Sequence, residues 1–157
     1  MEERISYQQV PGELIGAMMQ IESYLKQSGL DEKLLNLMRY YVSQLNGCAY
    51  CLDMHFKEAF AGGEEDVRLH SVAAWRETDY YSDREQAVLA WAETVTKLDK
   101  NPGQQTLEFD ELRQYFSLEQ IAQLTLAITQ INSWNRLVKA FHFRPGRYQA
   151  ARDKLEH

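Results

Sequence analysis

The 157-residue chain is poor in cysteine, with two, and in proline, with three, and it carries no surplus of positive charge. Two cysteines do not make the disulfide framework on which small exported domains depend, and none is needed, because a chain of about 150 residues buries roughly 70% of its unfolded surface. Seventeen Lys and Arg are scattered among twenty-three acids, for a net charge of −6. That pattern lacks the basic stripe that a phosphate backbone requires, so no nucleic-acid partner is expected. No apolar run approaches the ~18 residues of a membrane span, and MEERISYQQV at the start has no apolar stretch of the kind an export signal needs. The expectation is a cytoplasmic protein with no membrane partner. Dinucleotide, Walker and serine-hydrolase motifs are absent as well.

What is there is helical. Apolar residues recur at helical spacing over 13–27 and again from Asp31 to Leu45, where Asn46 and Gly47 supply a turn. A third helix is expected from about Cys48 to Phe60, a shorter piece over 64–75, and a loop through Tyr80 and Tyr81. Ser82 or Asp83 caps a helix that Asn101, Pro102 and Gly103 break, 107–115 forms a short helix, and Ser117 with Gln120 opens a long one ending near Phe143. No segment alternates like a strand. The fold class is all-α, a helical bundle of about six to eight helices in one domain over 1–154, with 155–157 reading as the start of an expression tag.

Both cysteines fall in one stretch, LNGCAYCLDMHFKEAF, with His55 four positions after Cys51. At about 100° per residue, Cys48, Cys51 and His55 lie within roughly a 60° sector of one helix. Both thiols would sit in the first turn, where unpaired N–H groups and the helix dipole favour a thiolate. A dithiol so placed can react with peroxide and close to a disulfide, with His55 moving a proton. Two other readings compete: a metal site of Cys48, Cys51 and His55 completed by Asp53, Glu58 or water, and two small residues buried in a helical core. The usual structural metal site has a second ligand pair, which this chain lacks, and a c-type haem is excluded because Leu52 rather than histidine follows Cys51.

The stretch SQLNGCAYCLDMHFKEA, Ser43 to Ala59, resembles the C-x-x-C-x-x-x-H core of the alkylhydroperoxidase D-like, carboxymuconolactone decarboxylase superfamily in its redox branch. SDREQAVLAWAETVTKL (82–98) and LTLAITQINSWNRLVKAF (124–141) resemble later blocks, so the likeness is spread over 30–143. The resemblance implies an all-helical protomer assembled as a trimer or hexamer, a peroxide substrate, and a reversible dithiol in which Cys51 attacks, Cys48 resolves and His55 relays a proton. It calls for no metal or organic cofactor, and for an external reductant such as a thioredoxin-like or lipoyl-bearing protein.

One position departs from the pattern. Where the family relay often has glutamate, twelve residues before the first cysteine, this chain has Asn36, which cannot act as a base. Glu85 and Glu58 are the carboxylates that could substitute. Without a substitute, peroxide turnover slows and a disulfide-reductase or redox-sensing role gains ground; a decarboxylase-like relative with bystander cysteines is the remaining alternative. On the long last helix, Asn132, Trp134 and Asn135 either form a satisfied core network or line the dithiol pocket.

Overall fold

The computed structural model describes residues 2–150, so the suspected tag at 155–157 lies outside the described residues. Among the described residues there are seven α-helices and no strand: α1 Gly12–Gln27, α2 Glu32–Leu45, α3 Ala49–Ala61, α4 Asp66–Ser71, α5 Asp83–Lys97, α6 Pro102–Leu112 and α7 Leu118–Phe141. Short 3-10 segments, Tyr7–Gln9 and Val72–Glu77, precede α1 and follow α4. The all-α expectation holds.

Three helices start where the sequence places a cap. Asp31 accepts from the N–H groups of Lys33 and Leu34, and Ser82 and Ser117 each form a reciprocal capping box with the residue three positions on, Glu85 and Gln120. Two expectations need correction. Proline at 102 starts α6 rather than separating a loop from a helix at 107, because Asn101 caps the turn and a proline at the first helical position needs no N–H. The piece over 64–75 is not one helix: α4 gives way to a 3-10 segment in which Ala74 leaves helical geometry.

Helix α2 is the centre of the bundle and packs against α3, α5 and α7. Its buried residues occur at nearly every position from Leu34 to Ser43, which is how a helix surrounded by others reads. Leu37, Met38 and Val42 are fully excluded from solvent and join Leu89 and Ala92 of α5 and Leu124 and Ile128 of α7 in the main core. A smaller cluster, Cys48, Cys51 and Val138, sits where the start of α3 meets the end of α7. No helix among the described residues is long and apolar enough to cross a membrane.

Candidate functional site

The corner between α2 and α3 is built by a glycine. Gly47 takes φ +58°, its N–H donates to the Gln44 carbonyl, and the next N–H, of Cys48, donates to the Ser43 carbonyl at 3.0 Å. This paired pattern is a Schellman motif, whose left-handed residue is cheapest as glycine. It delivers Cys48 directly as the N-cap of α3, so the cysteine sits half a step outside the first turn in which the sequence placed it. Cys51 is the third residue of α3, among the N–H groups that have no partner within the helix.

Asparagines brace this corner. Asn46 donates through Nδ2 to Oδ1 of both Asn132 (2.9 Å) and Asn135 (2.8 Å) on α7, and Asn135 in turn donates to the Ser43 hydroxyl at 3.2 Å. Asn132 also donates to the Thr96 hydroxyl and accepts from Arg136. Asn132 therefore holds the turn that presents Cys48; it does not line the cavity beside Cys51.

Cys48 and Cys51 are joined by a disulfide, with their Cα atoms 5.3 Å apart, and both are buried. They front different spaces. Cys51 lines a cavity of about 430 Å³ with His55, Trp134, Tyr50 and Ile131, within the usual size range of small-molecule sites. Cys48 lines a second one, of about 920 Å³, with Lys139, His142 and Arg144. Among the described residues, no three His, Cys, Asp or Glu side chains are gathered so as to hold a metal ion.

His55 is 4% exposed and its Nδ1 lies 2.9 Å from Oε2 of Glu58, one helical turn on. Burial pushes the Glu58 carboxyl up, but the hydrogen bond and charge of His55, the hydrogen bond from Tyr148 and the charge of Arg39 outweigh it and leave its pKa below the ordinary value. An ionised carboxylate only accepts, so Nδ1 carries a proton, and in the neutral form of the ring the lone pair is on Nε2. Nε2 is buried and has no hydrogen-bond partner among the described residues. His55 thus stands in the wall that Cys51 shares, with Glu58 behind it on Nδ1.

The other residues singled out in the sequence are distributed as follows. Trp134 is in the cavity wall, its Nε1 donating to Glu22, which also pairs with Arg39. Asn36 lines a polar cleft on the other side of Glu58 and not the dithiol cavity. The structure does not bring Glu85 to the dithiol: it pairs with Arg68 and caps α5, and burial raises its pKa less than Arg68 and Ser82 lower it. Sequence reasoning missed Tyr148, whose hydroxyl donates to Oε1 of Glu58 at 2.7 Å, and Arg39; Tyr148 lies far from the cysteines in sequence, and no local signal marks either residue.

Residues 12–94 match the pattern of the carboxymuconolactone decarboxylase family. The chain is 39% identical over 137 residues to YdfG of Bacillus subtilis (strain 168), an uncharacterized protein, covering 87% of this chain and 92% of that one. A crystal structure from Agrobacterium tumefaciens, of a protein of unknown function provisionally assigned to antioxidant defence as AhpD, is similar with TM-score 0.87 and 35% identity, over 94% of this chain and all of that one. The debrominase Bmp8 shares the fold alone, with TM-score 0.72 and 20% identity over 86% of this chain and 72% of its own. With more than half of its length matched and a dithiol at the helix corner described above, the chain belongs to the carboxymuconolactone decarboxylase family, in the alkylhydroperoxidase D-like superfamily.

Proposed function

We propose that the protein is a thiol-dependent peroxidase that reduces hydrogen peroxide or organic hydroperoxides through the Cys48–Cys51 pair. The observation that carries this reading is the disulfide at the start of α3, whose Cys51 shares a cavity with His55, a histidine whose Nε2 is buried and has no hydrogen-bond partner among the described residues. In the reduced protein His55 takes the Cys51 proton, and the helix N-terminus stabilises the thiolate. The thiolate attacks one peroxide oxygen, the O–O bond breaks, and Cys51 becomes a sulfenic acid while the departing alkoxide or hydroxide takes the proton from His55. The Cys48 thiol then attacks the Cys51 sulfur, water leaves and the disulfide closes.

The two-electron reductant is an external dithiol, a thioredoxin-like or lipoyl-bearing protein, which attacks the disulfide at Cys48 from the second cavity and releases the Cys51 thiolate. Glu58 stands in for the glutamate that Asn36 replaces, orienting His55 through Nδ1. The protomers form a trimer or hexamer, and the protein works in the cytoplasm.

The test is steady-state peroxide consumption with dithiothreitol as electron donor. Cys51→Ser abolishes turnover, and Cys48→Ser leaves at most the reaction of Cys51 with the donor itself. Turnover unchanged in both variants would remove the cysteines from the mechanism and end this reading.

A further inference from the structure

After α7 the chain reverses: His142 takes φ +60° and the Phe143 N–H donates to the Val138 carbonyl at 3.1 Å. Residues 143–150 then run back across α3 as an irregular strap. Two residues of α3 hold its backbone. Asp53 accepts from the Gly146 N–H at 3.0 Å, and Lys57, itself paired with Asp53, donates to the Tyr148 carbonyl at 2.9 Å. The strap carries two side chains, Phe143 and Tyr148, into the wall of the cavity that Cys51 and His55 line.

Tyr148 is the one with chemical reach. Its hydroxyl occupies Oε1 of Glu58 while His55 Nδ1 occupies Oε2, so one carboxylate is held at both oxygens, from the strap and from α3. Glu58, Tyr148 and Arg39 also line the polar cleft on the other side of this wall. The carboxylate is therefore the joint between the dithiol cavity and an outer polar surface.

We infer that Tyr148 is a positioning residue of the proton relay: by holding Oε1 of Glu58 it keeps Oε2 on His55 Nδ1 and so fixes the orientation of the ring and of its Nε2. This rests on the peroxidase reading above and extends it to a part of the chain outside the motif. Tyr148 itself does not transfer a proton, since burial and then its hydrogen bond to Glu58 push the phenol above its ordinary value. The titratable and charged groups that share the inner cavity with Glu58 are Cys51, His55 and Tyr50 of α3, Glu22 of α1, Arg39 of α2, Tyr7 and Tyr148; those in the outer cleft are Lys26 of α1, Glu32, Lys33 and again Arg39 of α2, and again Tyr148. Removing the phenolic donor takes away one of the contacts that lower the Glu58 pKa, so the acid limb of any profile governed by this relay moves to higher pH.

The test compares the full chain with Tyr148→Phe in two assays. In hydrogen peroxide turnover with dithiothreitol, Y148F lowers kcat by about tenfold, below the roughly 10²–10⁴ of a direct acid–base group, leaves KM unchanged and moves the acid limb to higher pH. In a Cys48→Ser background, alkylation of Cys51 by iodoacetamide reads the relay without peroxide, and Y148F raises the pH midpoint of that reaction. Asp53→Asn, which weakens the strap and keeps the phenol, shifts both profiles the same way, and serves if Y148F does not fold. Wild-type kcat and alkylation profiles in Y148F, or a loss confined to KM, would overturn the inference and leave the peroxidase reading intact. Absence of turnover in the wild type would end the peroxidase reading, and the alkylation profiles would still decide the role of Tyr148.

Discussion

One carboxylate that the C-x-x-C-x-x-x-H core does not name, Glu58, lies against the histidine of that core. Asn36 replaces the expected glutamate and lies outside the dithiol cavity, yet His55 still has an ionised partner, because Glu58 is one helical turn away on the same element. Glu58→Gln keeps the shape and removes the charge that holds the Nδ1 proton. The expected result is a loss of about 10²-fold in kcat at neutral pH, the lower end of what a general acid–base pair contributes, read in the peroxide assay. The same carboxylate also links stability to pH. Its folded pKa lies below the ordinary 4.5, so its contribution is complete above that value and is lost as pH falls through the folded pKa. Urea unfolding between about pH 7 and about pH 3.5 should therefore show a smaller loss of stability in E58Q than in the native chain. Glu58 was legible in the sequence as a carboxylate that could substitute for the missing glutamate, but nothing there separated it from Glu85, which folding assigns instead to Arg68 and a helix cap.

Among the elements, the α2–α3 corner decides where the Cys48 sulfur stands. Its glycine and both flanking helices were readable from turn chemistry and apolar spacing, as were the Ser82 and Ser117 caps. What pattern could not give is the long-range bracing, since Asn46 lies 86 residues from Asn132 and 89 from Asn135. Asn46→Ala removes the donor that both carbonyls share. Asn132 keeps Arg136 as a donor at 2.7 Å, whereas Asn135, fully buried, loses the one side-chain donor seen on its oxygen among the described residues. The expected cost is about 1–3 kcal/mol of unfolding free energy, that of orphaning a buried acceptor, read as a lower urea midpoint. Because the same turn presents Cys48, disulfide closure should also slow, and mass spectrometry after a peroxide pulse should find more Cys51 carried past the sulfenic to the sulfinic state. Pro102 makes the opposite point about legibility: the residue that reads as a breaker also suits the first helical position, and only the Asn101 side chain on the Gln104 N–H selects between them.

For the molecule as a whole, the proposed cycle requires that the fold survive without the Cys48–Cys51 bond. The main core has no part in the dithiol; it is made by α2 against α5 and α7, and the cysteines belong to a separate small cluster with Val138. The strap that completes the cavity was not legible, because Tyr148 has no helical context and stands 90 residues from Glu58. A disulfide stabilises chiefly by restricting the unfolded chain, and the restriction grows with the loop it closes. Here the partners are three positions apart. The loop-entropy relation then gives only about 2 kcal/mol, near the bottom of the usual range and below the total stability of an ordinary domain, about 5–15 kcal/mol. Reduction with dithiothreitol should thus lower unfolding free energy by about 2 kcal/mol, with the helical circular dichroism signal retained and the transition still cooperative. A collapse of helicity on reduction would mean that the bond holds the bundle together, and a protein built that way could not use it as the turning point of a catalytic cycle.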